Sequence, residues 1–331
     1  MIDLFPRENS HFFDINQRGN LQMPTIISVA SGKGGVGKSM VVSNLGILLA
    51  RQGQRVILVD MDIGGANLHI LFGMFHPPTT LTDFFTNRLT NLEDLAHPLA
   101  NTLPLRLIPG TGETLITANL QHAKKKRLIR HLQKLDADII LVDVGAGTSY
   151  HTLDFFLLAD HFLAVATPDP TSVLDLYRFI KLAAIRKVLT AFLAHDPIAE
   201  ALLSQDFHSI TEVLEAVGRT NESGVPLAQQ ALQGFQPALI LNRMTPKSRI
   251  NTLHLRNLLK QYVGADLSVL GNIPEDPHVQ QSILKYLPVV ELSPKSPAAL
   301  AFDQIAENVL RLIKHPEEVS ETREEPQKIR A

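Results

Sequence analysis

The segment Ser31–Ser39, SGKGGVGKS, restricts this chain more than any other stretch of its sequence. Gly32, Gly37, Lys38 and Ser39 satisfy Gly-x-x-x-x-Gly-Lys-Ser, and the flanking text supplies the context that motif needs. Before it, Thr25–Ala30 (TIISVA) is an apolar run that reads as a buried strand. After it, Met40–Gln52 has helical apolar spacing and stops at Gly53. Glycines let successive backbone N–H groups converge on phosphate oxygens, and the following helix points its positive end at the same anion. Nucleotide contacts are therefore expected from Gly32, Lys33, Gly34, Gly35, Val36, Gly37, Lys38, Ser39 and Met40. Lys38 should reach the β- and γ-phosphates of ATP, and the Ser39 hydroxyl should ligate Mg²⁺.

The pattern after the loop predicts the fold class. Arg55–Asp60 (RVILVD), Leu105–Ile108, Asp138–Asp143 (DIILVD), His161–Ala166, Pro237–Asn242 (PALILN) and Leu267–Ile273 read as strands. Helical segments fall between them, around Leu120–Leu135, Leu153–Leu158, Thr171–Lys187 and Arg249–Val263. Strands that are apolar throughout and alternate with helices indicate an α/β, doubly wound, mostly parallel sheet with helices on both faces. No Pro/Gly/Ser-rich linker divides the chain, so one such domain is expected over residues 24–314. Residues 188–236 exceed an ordinary crossover and read as an inserted helical segment. Residues 1–23 lack periodicity and read as a flexible arm, and the charged, Pro-containing stretch 315–331 as a disordered tail.

Composition removes several classes of function. The chain has no cysteine, which excludes disulfides, thiolate-held iron–sulfur clusters and cysteine nucleophiles. A formal net charge of −2 over 331 residues gives no whole-chain attraction to nucleic acid or membrane. No signal-peptide pattern and no bilayer-length apolar run is present, so the expected location is the cytoplasm.

Two strand ends carry acids. Arg55–Asp60 leads into VDMDIGGANLH, placing Asp60 and Asp62 beside the phosphate loop, and DIILVDVGAG ends another strand with Asp143. Carboxylates at such positions can hold Mg²⁺, directly or through water, or orient a water for in-line attack.

Lys33 is a second lysine inside the loop, and with it Lys33–Ser39 (KGGVGKS) resembles letter for letter the deviant Walker A motif of the MinD/ParA family. VDMDIGGANLH is similar to that family's D-x-D-x-G-x-x-N switch, and DVGAG to its Walker B form D-x-G-A-G. TPDPTSVLDLYRFIK at Thr167–Lys181 and the late GNIPEDPHVQQSILKYLPVVELSPKSPAALAF resemble the flagellar-number regulator branch of the FlhG/FleN type. The resemblance implies a P-loop ATPase that acts as an ATP-driven regulatory switch. In it Lys33 reaches the partner's phosphates in an ATP-dependent homodimer, Lys38 binds phosphate, and Asp62 positions the attacking water. Ser39, Asp60 and Asp143 serve Mg²⁺, while Asn67, Gly145 and Gly147 belong to the switches, with a Gly145 or Gly147 amide meeting the γ-phosphate. Asn242 recognises adenine, flanked by the backbone of Pro274 and Asp276. Gly64 and Gly65 let the first switch move. The process implied is flagellum number or placement first, division-site selection second, through a regulatory protein partner that the sequence does not name.

Three departures qualify this. The amino-terminal text FDINQRGN does not match the D-Q-A-x-x-L-R motif with which flagellar regulators stimulate their partner GTPase. The last helix has one apolar face, at Phe302, Ile305, Ala306, Val309, Leu310 and Ile313, but its polar face mixes acids with bases. That composition favours docking on the core over peripheral attachment to the inner face of the membrane. The inserted helices have no counterpart in the minimal family core. The alternatives are a ParA-like partition ATPase and an ATP-dependent metabolic ligase or kinase on the same fold. For the first, the run Lys124, Lys125, Lys126, Arg127, Arg130 and Lys134 can contact DNA phosphates or acidic lipid, though such runs more often form a solvated face.

Overall fold

The computed structural model describes residues 23–62, 65–99, 103–110, 122–192, 196–203 and 205–315. The arm, up to residue 22, and the tail, from residue 316, lie outside these described residues, as does Gly64.

Eight strands form one sheet in the order β3-β4-β2-β5-β1-β6-β7-β8. They are β1 (Thr25–Ser31), β2 (Val56–Met61), β3 (His97–Pro98), β4 (Leu105–Ile108), β5 (Ile139–Ala146), β6 (His161–Ala166), β7 (Pro237–Met244) and β8 (Ser268–Pro274). Every pairing is parallel except that of the short edge strand β3 with β4. The sheet is therefore mostly parallel, with helices on both faces. Sequence reading missed β3, because two residues are too few to show alternation.

The helices are α1 (Lys38–Arg51), α2 (Leu81–Phe85), α3 (His122–Leu132), α4 (Tyr150–Phe156), α5 (Pro170–Leu189) and α6 (Pro197–Leu203). They continue with α7 (Ile210–Thr220), α8 (Val225–Leu232), α9 (Thr252–Val263), α10 (Pro277–Leu284), α11 (Val289–Leu292) and α12 (Pro297–Lys314). Side chains alternate between the faces of a strand. Ile27 and Val29 of β1, Leu58 of β2 and Leu141 of β5 pack with α1 and α12, whereas Ile26, Ile57, Val59 and Val142 pack with α3, α4 and α5. Both faces are thus buried, which is why the central strands read as continuous apolar runs.

The helices within 188–236 cover the sheet face that α5 occupies. Ile198, Leu202, Phe207, Val213, Val217 and Ala228 are buried in the same apolar cluster as Phe179 and Ala183 of α5. The last helix also docks: Phe302, Ile305, Ala306 and Val309 are buried against α1 and the sheet. Asn308 Nδ2 donates to the Leu270 carbonyl of β8 at 2.8 Å. No described helix is long and apolar enough to cross a membrane.

The basic run on α3 is partly consumed by the fold. Arg127 donates to Asn87 and to the Phe84 and Thr90 carbonyls, and stacks 4.2 Å from the Phe84 ring. Lys125 is buried, and its Nζ donates to Asp154 Oδ2 at 2.6 Å. Arg186 Nε of α5 donates to the other oxygen of Asp154 at 2.7 Å. One buried carboxylate thereby ties α3, α4 and α5 together. Truncating one partner of such a buried cluster strips the counter-charge from ions that cannot recover water. Asp154→Ala should cost about 3–5 kcal/mol of stability in urea titration, far more than Arg130→Ala on the exposed face of the same helix.

Candidate functional site

The carboxyl ends of β1, β2 and β5 converge at the start of α1. Register partners across β2 and β5 include Asp60 and Asp143. By strand alternation both side chains project from the α1 face, the face of Leu58 and Leu141. Each is about 1% exposed. Two carboxylates side by side in a buried place repel one another. Burial first, and then the charge of Asp143, push the Asp60 carboxyl well above its ordinary range. Burial also raises Asp143, reinforced by Asp62 and opposed by the Ser39 hydroxyl and the Lys38 ammonium.

Above these acids the amino end of α1 has no side-chain cap. Gly37 occupies the cap position in the left-handed conformation (φ 94°), and no acid lies in the first turn. By contrast Ser149, Asp169, Ser209, Asn251, Asp276 and Ser296 cap α4, α5, α7, α9, α10 and α12 with their own side chains. Helix N–H groups left without a side-chain acceptor, together with the helix dipole, make an anion site. Lys38 in that first turn is buried. Gly35 is also left-handed (φ 78°). Gly37 has a second reason to be glycine: a Cβ there would stand 2.5 Å from Asn242 Nδ2.

Mg²⁺ passes a fit test on the donors present. Asp143 Oδ1 is buried without a hydrogen-bond partner, an arrangement that a cation or its bound water would satisfy. Among the described residues no group of three or more Asp, Glu or His could hold a metal alone. That suits Mg²⁺, which usually takes one or two protein oxygens together with phosphates and water.

Asp60 plays a different part from Asp143. Its Oδ1 accepts from the Asp62 N–H at 3.1 Å and its Oδ2 from the Leu68 N–H at 3.0 Å, so it clamps both ends of the loop that carries Asp62. Only its remaining lone pairs are free for the metal region. Asp62 lies over two glycines, since a Cβ on Gly65 or Gly145 would come 3.0 Å from Asp62 Oδ1. The exposed Asn67 closes the same loop by donating to the Gly65 carbonyl at 2.8 Å. Of the two switch glycines whose amide could meet the γ-phosphate, Gly147 uses its N–H on the Ser31 carbonyl at 3.1 Å, where the β1–β5 pairing runs on to Ser31 and Ala146.

A pocket of about 460 Å³ opens beside the loop, lined by Gly37, Met40, Asn242, Pro274 and Asp276. Asn242 is 2% exposed, and its Nδ2 donates to the Val36 carbonyl at 2.8 Å while its Oδ1 accepts from the Arg243 N–H. Asn242 therefore braces the phosphate loop from the pocket floor, a role its strand-end position did not announce. Asp276 also does more than line the pocket. Burial favours its neutral form, but the N–H groups of Ala298 and His278 and the His278 ring hold its carboxyl below the ordinary range. Arg243, with φ 58°, and Gln280 and Ile283 of α10 also line it. Gln280 and Ile283 lie in the late segment that carries the family resemblance, but no motif marked any of these three as pocket residues.

Asp143→Asn follows from this geometry as a trade. It should raise the unfolding midpoint of the nucleotide-free protein, on the order of 1 kcal/mol, by relieving buried charge. In calorimetry the same variant should lose the Mg²⁺ dependence of ATP binding.

Comparison with known proteins bears on the family and the fold. The family model described as the CobQ/CobB/MinD/ParA nucleotide binding domain matches residues 27–289. The antiactivator FleN of Pseudomonas aeruginosa is 28% identical over 299 residues, covering 89% of each chain. The flagellum site-determining protein YlxH of Helicobacter pylori is 34% identical over 184 residues, 53% of this chain and 58% of its own. Among solved structures, the septum site-determining protein MinD of Pyrococcus horikoshii with Mg-ADP superposes with a TM-score of 0.62 at 24% identity, covering 88% of this chain and 98% of that one. The chain belongs to the MinD/ParA family of P-loop nucleotide-binding proteins.

Proposed function

We propose that this protein is an ATP-dependent dimerising switch with slow hydrolysis, and that it regulates the number or placement of a cellular structure. The observation that carries the reading is the buried, unpartnered Asp143 Oδ1 beneath an uncapped helix start that bears a buried lysine. That pairing suits a nucleotide's phosphates together with their cation.

Loop amides, the α1 amino end and Lys38 bind and orient the phosphates, so positioning and charge stabilisation are the protein's main contribution. Ser39 and Asp143 would hold Mg²⁺, with Asp60 supporting the region. Held by those residues, the ion would supply positive charge against the negative charge that develops on phosphate during transfer. Asp62, on a loop clamped by Asp60, orients the water that accepts the γ-phosphoryl group. Lys33 completes the charge stabilisation across a homodimer, as the family resemblance implies.

Flagellum number or placement is the first process, in keeping with the similarity to the flagellum site-determining protein YlxH, and division-site selection the second, in keeping with that to the septum site-determining protein MinD of Helicobacter pylori. A regulatory protein partner fits both. A partition role on DNA has less support, since Lys125 and Arg127 of the basic run are engaged inside the fold. A metabolic ligase or kinase would require a small-molecule acceptor, so ATP turnover without one separates it from the switch. Lys38→Ala should abolish nucleotide binding. Asp62→Ala should bind ATP, lose hydrolysis and elute as a dimer on size exclusion at saturating ATP. Wild-type hydrolysis by Asp62→Ala would overturn its assignment, and monomeric elution would overturn the dimer.

A further inference from the structure

Lys33 differs from the rest of the loop in what it touches. Its side chain is 44% exposed and leaves the loop toward the start of α5. There Nζ donates to the Thr171 hydroxyl at 2.8 Å and lies 3.4 Å from Asp169 Oδ1. Asp169 also accepts from the Thr167 hydroxyl at 2.5 Å, the Thr171 hydroxyl at 2.6 Å and the Ser172 N–H at 2.9 Å. Those bonds, that of Thr167 foremost, hold its carboxyl far below the ordinary range, so it stays ionised. The acceptor group is preorganised. Pro168 and Pro170 flank Asp169, and Pro170 sits in the first turn of α5, where its fixed φ suits the helix. It is also seated against the loop itself, since a Cβ on Gly32 would lie 2.1 Å from the Asp175 carbonyl oxygen. The phosphate loop is therefore in direct contact with the first two turns of α5.

The geometry points to Thr171 and Asp169 as positioning residues that hold Lys33 within its own protomer, so that the ammonium must be released before it serves a second copy's nucleotide. This rests on the dimer reading of Lys33 proposed above. A half-exposed ion pair with one good hydrogen bond is a bias and not a lock, and a factor of about three per lysine is the scale such pairs support. Both protomers release a lysine, so the factor enters twice and shifts the dimerisation constant about tenfold.

The test uses the full chain. Thr171→Val removes the nearer of the lysine's two acceptors while leaving the Asp169 cap, Asp169→Asn keeps a competent helix cap without the charge, and Thr171→Ser restores the hydroxyl. The first readout is the acylation rate of the Lys33 amine in nucleotide-free protein, followed by mass spectrometry. It should rise about threefold in Thr171→Val and Asp169→Asn and return to the wild-type rate in Thr171→Ser. The second is the ATP concentration for half-maximal dimerisation in sedimentation velocity, which should fall severalfold in the first two variants. Unchanged Lys33 reactivity in both would overturn the hold. So would a rise in the ATP needed by Thr171→Val, since the hydroxyl would then serve the dimer. Lys33→Ala separates the two levels. If it dimerises and hydrolyses as wild type does, the trans role of Lys33 fails, and with it the inference that release precedes dimerisation. If it fails to do so while the other variants behave as wild type, only the hold is lost.

Discussion

Two buried carboxylates lie side by side at the ends of neighbouring parallel strands, under a helix whose first N–H groups have no side-chain cap. That juxtaposition is unfavourable for the protein alone. Asp60 and Asp143 are register partners, so they cannot separate without breaking the ladder between β2 and β5. Repulsion and desolvation push both toward protonation, and Asp143 keeps one oxygen unpartnered. A cation bound to phosphate would answer each of these costs at once. Sites of this kind trade stability for affinity.

The loops around the site are held from several directions. Asp60 fixes both ends of the Asp62 loop, Asn242 fixes the phosphate loop through the Val36 carbonyl, and Gly32 seats that loop against α5. Gly110 does similar service behind β4, where a Cβ would stand 2.8 Å from the Asp60 carbonyl oxygen. Each brace joins the phosphate loop or a switch to a different strand or helix. The phosphate loop is therefore in direct contact with α5 and with the pocket floor. The same bracing explains why glycine is needed at positions far from phosphate: backbone must pass within contact distance of another backbone or of a side-chain amide.

The outer helices settle questions about surfaces. The docking of α12 through Phe302, Ile305 and Val309 uses up the apolar face that a membrane-surface helix would need. The helices within 188–236 bury Ile198, Val213 and Val217 against the α5 side of the sheet, so their first contribution is to cover it. The basic run on α3 is divided by depth, with Lys125 and Arg127 turned into structural contacts. Charge counted along the sequence thus overstates charge offered to a partner.

Much of this molecule was legible before any coordinates. Apolar runs such as RVILVD and DIILVD, which end in acids, announced parallel strands with their functional ends together. The loop SGKGGVGKS announced a phosphate site, because only glycines permit its backbone path and because the motif stood between strand and helix. What the sequence could not show depends on neighbours remote in the chain. It did not reveal that Asn242 holds Val36, that Asp276 joins α10 to α12, or that Ser31 takes the Gly147 amide. Nor did it show that Lys33 turns away from its own loop toward Thr171 and Asp169. The reason is physical. Motifs and periodicity record local backbone demands and the sidedness of burial, whereas hydrogen-bond partners are assigned only when the sheet order brings β1, β5, β6 and β7 side by side. Local chemistry determined which groups stand in the loop and at the strand ends, and the tertiary structure decided which groups hold them in place.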